Sequence, residues 1–198
     1  YGEHAWEIDA SRRDFTMNAL YVNEHGKLYD YHNGYSDLKN GLVRFIGDAD
    51  KRIKEDYLRI LRYFVFQYRF GVTRSHNLAS KLLMEHNLNT MKKYAKQLKT
   101  KVSVERVQTE LFKIFSLPID ILSKLKLFNQ TRLFNNILKQ YYIDDTNSID
   151  KLLTYLNHYK LLNESDNPFY VIHRIFISLA DIGKSNSGVI SILLEKKY

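Results

Sequence analysis

The stretch DADKRIKEDYLRILRYFVFQYRFG, Asp48 to Gly71, decides the architecture. Before it, apolar residues come in short runs separated by turn signals. From Asp48 onward they recur at helical spacing. Asp48 suits an N-cap, and Asp50 stands in the first turn, near the positive end of the helix dipole. Gly71 offers a C-terminal stop. The spacing predicts one helix from Asp48 to about Phe70. Its broad apolar face would carry Tyr57, Leu58, Ile60, Leu61, Phe64, Val65 and Tyr68, with Glu55, Asp56, Arg59 and Arg62 opposite.

Working upstream, residues 20–46 read as β structure. Leu20-Tyr21-Val22 and Lys27 to Tyr31 flank Glu24-His25-Gly26, a hairpin connection. Asn33-Gly34 is a second turn signal, a helical turn is predicted from Ser36 to Asn40 with a stop at Gly41, and Leu42 to Ile46 reads as a further strand. The opening YGEHAWEIDA, Tyr1 to Ala10, shows neither a helix start nor a signal peptide, and the chain is expected to begin inside a larger fold.

Downstream the pattern is helical with polar breaks. Helices are predicted over Leu78–His86, Thr90–Leu98 and Ser103–Phe115, the last capped by Ser103 and striped with Val104, Val107, Leu111 and Ile114. Pro118 suits the start of another, to about Leu127, with more around Arg132–Tyr142, Ser148–Leu162 and Pro168–Asp181 and a loop at Gly183–Gly188 before a last short one. The fold class is therefore α+β: a small β portion, 1–47, then a helical neck, 48–117, then a helical body, 118–198.

The 198 residues carry a net charge of +8, which favours a polyanionic partner, most simply nucleic acid. An anionic membrane surface and a plain Lys- and Asn-rich bias are the alternatives. Cysteine is absent, which excludes disulfides and thiolate metal sites and suits a reducing, cytoplasmic compartment. No apolar run approaches the roughly 18 residues of a membrane span.

Two charged stretches could carry chemistry. In KEDYLRILRYF, Asp56 and Arg59 are three apart and Glu55 and Arg59 four apart. An adjacent aspartate and arginine present an acceptor and donors in one plane, as a base edge does, and arginine forks onto phosphate oxygens. The alternative is a solvated face with ordinary ion pairs. In RRDFTMNAL, Arg12 to Leu20, the arginines could contact phosphates, and Asp14 could accept from a ribose hydroxyl or help orient a metal-bound group; otherwise this is a basic turn capping a short helix, with Asp14 as its N-cap. The stretch MKKYAKQLKTK, Met91 to Lys101, interleaves Lys92, Lys93, Lys96 and Lys99 with Tyr94 and could track an RNA backbone, or be a solvated amphipathic helix. The seven histidines show no metal-ligand spacing.

Taken in order, RRDFTMNAL, YDYHNGYSDLKNGLVRFIGD, KRIKEDYLRILRYF and SVERVQTEL resemble the class II tRNA nucleotidyltransferase and bacterial poly(A) polymerase family. The likeness is close from Trp6 to Phe70, weaker to Leu117 and faint beyond, and EDYLRILRYF looks more like the CCA-adding members. It implies that Arg13 binds the triphosphate or sugar of a nucleotide, that Asp14 contacts the ribose, and that Arg12 and Asn18 support them. It implies that Asp56 and Arg59 read the incoming base, with Arg62 toward the phosphates and Glu55 orienting Arg59. Asp30 to Asp37 would link head and neck flexibly, and Arg106 and Glu110 would brace the neck. The implied function is template-independent addition of nucleotides to an RNA 3′ end, most simply CCA to tRNA from CTP and ATP. Poly(A) addition and a non-catalytic RNA- or nucleotide-binding piece of a split or decayed enzyme are the alternatives.

Two departures bear on this. The family's further arginine, three residues beyond Arg62, is replaced by Val65, so weaker triphosphate binding is expected. The family's Asp-x-Asp motif, which holds the catalytic Mg²⁺, should lie before Trp6 and is not in the sequence. Asp48-Ala49-Asp50 has the spacing but opens the neck helix. No catalytic and no metal-binding residue is therefore assigned. The chain alone is expected to be inactive, with a separate head segment as a partner.

Overall fold

The computed structural model describes residues 3–71 and 78–117, with Ser123, Lys124 and Leu127. The helices expected beyond Pro118, and the loop at 183–188, lie outside the described residues apart from those last three positions. Two compact units divide the chain, Tyr1–Tyr94 and Ala95–Tyr198. Among the described residues no helix is long and apolar enough to cross a membrane.

The first unit opens with helix α1, Glu3–Arg12, where the sequence had suggested no helix. Its packing explains it. Ala10 is fully buried in a small cluster with Ala19 and Ile46, and Trp6 stacks on Tyr21 at 5.9 Å and meets Tyr29 edge-on at 5.1 Å. Tertiary contact, not an amphipathic period or a cap, holds this helix. A single 3₁₀ turn, Thr16–Asn18, leads into an antiparallel hairpin of β1, Leu20–Val22, and β2, Leu28–Asp30, with Tyr21 opposite Tyr29.

Helix α2, Gly34–Asn40, starts where the Asn-Gly signal stands and ends at Gly41, whose φ of +65° is the left-handed stop expected there. Gly34 is required by space: a Cβ there would lie 2.1 Å from the Thr16 carbonyl oxygen. The Asp30 carboxylate accepts from the amides of Gly34 at 2.7 Å and Tyr35 at 3.0 Å, so the segment proposed as a flexible link is densely hydrogen-bonded. The strand expected over Leu42–Ile46 reduces to one bridge. Phe45 pairs with Phe15, with Thr16 N–H donating to Arg44 C=O and Ile46 N–H to Asp14 C=O.

The helix expected from Asp48 to Phe70 is broken. Helix α3 covers Ala49–Glu55 and helix α4 Arg59–Phe66, followed by a π-helical turn, Gln67–Gly71. Asp48 caps α3 as predicted, accepting from Lys51 N–H at 2.9 Å. Asp56 makes the break. It is extended at φ −151°, its Oδ1 accepts from Leu58 N–H at 3.1 Å and its carbonyl from Arg59 N–H at 3.0 Å. A short polar side chain that can bond the amide two residues on competes with the helix. The apolar face of α4 is as expected: Leu58, Ile60, Leu61, Phe64, Val65 and Tyr68 are buried. Tyr63 joins them at 1% exposure, between Phe15 and Phe45.

The two helices expected over Leu78–His86 and Thr90–Leu98 are replaced by α5, Leu78–Tyr94, and a short α6, Gln97–Lys101. Asn87 does not end a helix. It is buried, and its side-chain amide donates to Val43 C=O at 3.0 Å. In the second unit α7 runs Val104–Phe115, with Val107 and Ile114 buried. Ser103 stands at the cap position, but its side chain makes no capping bond.

Candidate functional site

Phe15 fixes the RRDF turn. Its ring is fully buried, 4.9 Å from those of Phe45 and Phe66. The three charged residues before it are thereby held at the rim of the aromatic core.

Both arginines of the turn are gripped by one carboxylate that the sequence reading passed over, Asp9 of α1. Arg12 Nη2 donates to its Oδ1 at 2.8 Å. Arg13 donates through Nε and Nη2 to Oδ2, at 3.0 and 2.7 Å, and Tyr21 O–H donates to the same oxygen at 2.6 Å. The Tyr21 hydroxyl, then Arg12 and Arg13, hold the Asp9 carboxyl far below the usual carboxylate range. Arg13 Nη1 takes no part in that pair, and the Arg13 guanidinium lies 5.9 Å from the centre of the Tyr21 ring.

Asp14 is 5% exposed. Its Oδ1 accepts from Phe15 N–H and Asn18 Nδ2, both at 3.0 Å, and its Oδ2 from Arg62 Nε at 2.5 Å. Burial alone would raise its carboxyl. The hydrogen bond and charge of Arg62, with Asn18 and the Phe15 amide, outweigh that and leave it below the ordinary value. Asp14 does not serve as the side-chain cap of the 3₁₀ turn. It ties that turn to α4 across 48 residues of sequence.

On α3 and α4 the charged stripe is only partly solvated: the Arg59 side chain is 15% exposed and that of neighbouring Arg52 13%, while Glu55 is 51% exposed. Arg59 Nη1 donates to Glu55 Oε2 at 2.6 Å and to Arg52 C=O at 2.7 Å. That carbonyl lies near the C-terminal end of α3, where carbonyls lack a partner in the next turn. Both anchors use one nitrogen of Arg59, so its Nε and Nη2 are not spent on them. The same Glu55 oxygen accepts from Arg52 Nη1 at 2.5 Å, and hydrogen bonding to Arg59 leads the causes that hold its carboxyl down. Arg52 Nη2 reaches back to the carbonyls of Arg12, at 2.8 Å, and of Arg13. Arg52 was missed by the sequence reading, because its role depends on a contact 40 residues away.

The arrangement thus brings Arg12, Arg13, Asp14, Asn18, Glu55, Arg59 and Arg62 together around two joints, Asp14 to Arg62 and Arg52 to the RRDF turn. Two arginines share Asp9 and two share Glu55, so positive charge exceeds negative, and an anion would complete the balance. Val65 is buried at 4% exposure and offers that anion nothing.

Among the described residues no three His, Cys, Asp or Glu side chains come close enough to hold a metal ion. Asp48 is spent on its cap, and Asp50 pairs with Lys54 Nζ and Tyr94 O–H, both at 2.6 Å.

Lys92 and Lys93 are exposed on α5 in the first unit, Lys96 is exposed in the second, and the side chain of Lys99 lies outside the described residues. Tyr94 is not a free stacking ring between them, being bound to Asp50 with Lys54 above it. Glu110 is buried and pairs with Lys113 at 2.7 Å, and Arg106 is exposed, both on α7.

A family model described as Poly A polymerase head domain matches residues 2–44. The mouse mitochondrial CCA tRNA nucleotidyltransferase 1 is 45% identical over 113 residues, covering 56% of this chain and 24% of that protein. Its zebrafish counterpart is 59% identical over 64 residues, 32% of this chain and 15% of that protein. The CCA-adding enzyme of Oceanobacillus iheyensis is 36% identical over 133 residues, 65% of this chain and 31% of the enzyme. The chain thus spans about a quarter to a third of the relatives it matches over more than a hundred residues. In fold it is similar to the crystal structure of the Bacillus stearothermophilus CCA-adding enzyme in complex with CTP, with a TM-score of 0.51 at 21% identity, covering 96% of this chain and 58% of that one. With the RRDF turn and the EDYLR turn joined as described, the matched part of the chain is similar to the Poly A polymerase head domain and to CCA-adding nucleotidyltransferases.

Proposed function

We propose that this chain supplies the nucleotide-selecting part of a template-independent RNA 3′-end nucleotidyltransferase, adding CCA to tRNA from CTP and ATP. One observation carries the reading. The RRDF turn and the EDYLR turn, far apart in sequence, are hydrogen-bonded into one arginine-rich rim, on which Arg13 Nη1 and Arg59 Nε and Nη2 are not spent on the anchoring bonds. The names of the relatives favour CCA addition over poly(A) addition.

In this reading Arg13 binds the sugar or triphosphate, supported by Arg12. Asp14 and Asn18 act near the ribose, and Asp14 acts through its grip on Arg62 as much as by contact. Asp56 and Arg59 present an acceptor and a fork of donors to the base edge, with Arg59 held by Glu55. A bidentate pair of this kind discriminates by about 1–3 kcal/mol. Lys92, Lys93, Lys96 and Lys99 would follow the RNA backbone, and Arg106 and Glu110 would stiffen α7. A chain without cysteine suits the reducing cytoplasm.

The family's chemistry uses a divalent metal, taken as Mg²⁺, to neutralise charge on the attacking and leaving oxygens. The second reading takes the chain by itself as a non-catalytic nucleotide-binding piece of a split or decayed enzyme. The test is incorporation of labelled CTP and ATP into tRNA lacking its 3′ end. The 198-residue chain should give none alone and should gain activity when mixed with a polypeptide carrying an Asp-x-Asp strand segment. Robust Mg²⁺-dependent incorporation by the chain alone would overturn the second reading. Absence of any nucleotide binding would overturn the first.

A further inference from the structure

We propose that Arg52 is a positioning residue for base selection, a staple that sets the angle between the RRDF turn and Arg59. The inference rests on the base-reading role proposed above for Asp56 and Arg59.

Arg52 is 13% exposed and uses both ends of its fork. Nη1 is bonded to Glu55 Oε2, the oxygen that also anchors Arg59. Nη2 is bonded to the carbonyls of Arg12 and Arg13, where α1 ends. Its own backbone carbonyl accepts from Arg59. One residue therefore touches the turn that would hold sugar and phosphates, the carboxylate that orients Arg59, and Arg59 itself. Arg52 Nε is buried without a hydrogen-bond partner among the described residues, so the side chain is held by its two terminal nitrogens alone. Keeping a buried, partly unsatisfied cation is unfavourable, and a lysine or an apolar residue would carry less of that burden. What only arginine supplies here is a rigid planar fork spanning two acceptors on different elements.

The consequence falls on selectivity more than on affinity. Attraction between arginines and phosphates tolerates small shifts, because charge acts at a distance. A bidentate match to a base edge requires aligned donors and is lost with a small misplacement.

The experiment measures binding of CTP, GTP and inorganic tripolyphosphate to the purified 198-residue chain and to its Arg52→Lys and Arg52→Met variants, with circular dichroism as the check of fold. Arg52→Lys can keep one carbonyl bond but cannot also reach Glu55. The expected result is a preference of the unchanged chain for CTP over GTP that falls about tenfold in both variants, with tripolyphosphate affinity within about twofold. A folded Arg52→Lys variant with undiminished preference overturns this inference and leaves the proposed function standing. Unfolding of both variants overturns it too, assigning Arg52 to stability alone. An unchanged chain that binds CTP and GTP equally overturns the base-reading role itself, and the inference with it.

Discussion

At the residue scale the informative pair is Asp14 with Arg62. The Asp14 carboxyl is depressed in the folded chain, so its contribution to stability is present above the ordinary aspartate pKa, about 4. It is lost as pH falls through the lower, folded value. Asp14→Asn should flatten that acid limb of a stability–pH curve. At neutral pH it should also cost about 3 kcal/mol, the low end for breaking a buried pair, since Arg62 is half-open at 31% exposure. Urea melts at pH 7 and pH 3 measure both effects. Arg59→Ala acts differently: in the complete enzyme it should relax the choice between CTP and GTP by about 1–3 kcal/mol. Unchanged selectivity among the four nucleotides would remove Arg59 from base reading. Most residues of this rim were named in advance through the resemblance of their motifs. Asp9, Tyr21 and Arg52 were not: the pairs of Asp9 with Arg12 and Arg13 have local i,i+3 and i,i+4 spacing but need helix α1, which was not foreseen, and Tyr21 and Arg52 act on partners 12 and 40 residues away.

At the scale of elements, the hairpin, the stop of α2, the cap of α3 and the buried face of α4 were legible, since each rests on local chemistry, while α2 begins at Gly34, two residues before the expected Ser36. Alternation, an Asn-Gly turn, a left-handed glycine and an aspartate cap act within a few residues. What was not legible depends on distant contact. Helix α1 is held by aromatic stacking on the hairpin, and α5 runs through Asn87 because Val43 takes its amide. Leu42–Ile46 has strand composition but pairs only at Phe45, opposite Phe15. A close contact between elements is at Gly34, where a side chain would collide with the Thr16 carbonyl. Gly34→Ala should therefore destabilise by more than the roughly 1 kcal/mol that a helix gains from alanine, and the sign itself is the test. A variant as stable as the parent in thermal melts would show that the RRDF turn and α2 are not packed this closely.

For the whole molecule the question is RNA. The net charge of +8 is spread along the chain, and the lysines from Lys92 to Lys99 fall on both compact units. If all four contact phosphates, replacing Lys92, Lys93, Lys96 and Lys99 with Gln should lower the salt slope of tRNA binding by up to about 4 × 0.9. An unaltered slope would assign them to solvated surface. Such a change should leave nucleotide preference untouched, so the two proposed roles can be separated by experiment.

The interruption at Asp56 has a mechanical consequence. In an unbroken helix the azimuth of one side chain relative to another is fixed by about 100° per residue and can be altered only by insertion or deletion. Between α3 and α4 it is set by the backbone torsions of three residues, Asp56 to Leu58. The bonds from Arg59 to Glu55 and to the Arg52 carbonyl, and from Arg62 to Asp14, clamp those torsions. The direction in which Arg59 and Arg62 face is therefore set by side-chain anchors and not by helix pitch, so loss of an anchor would turn both without melting a turn of helix.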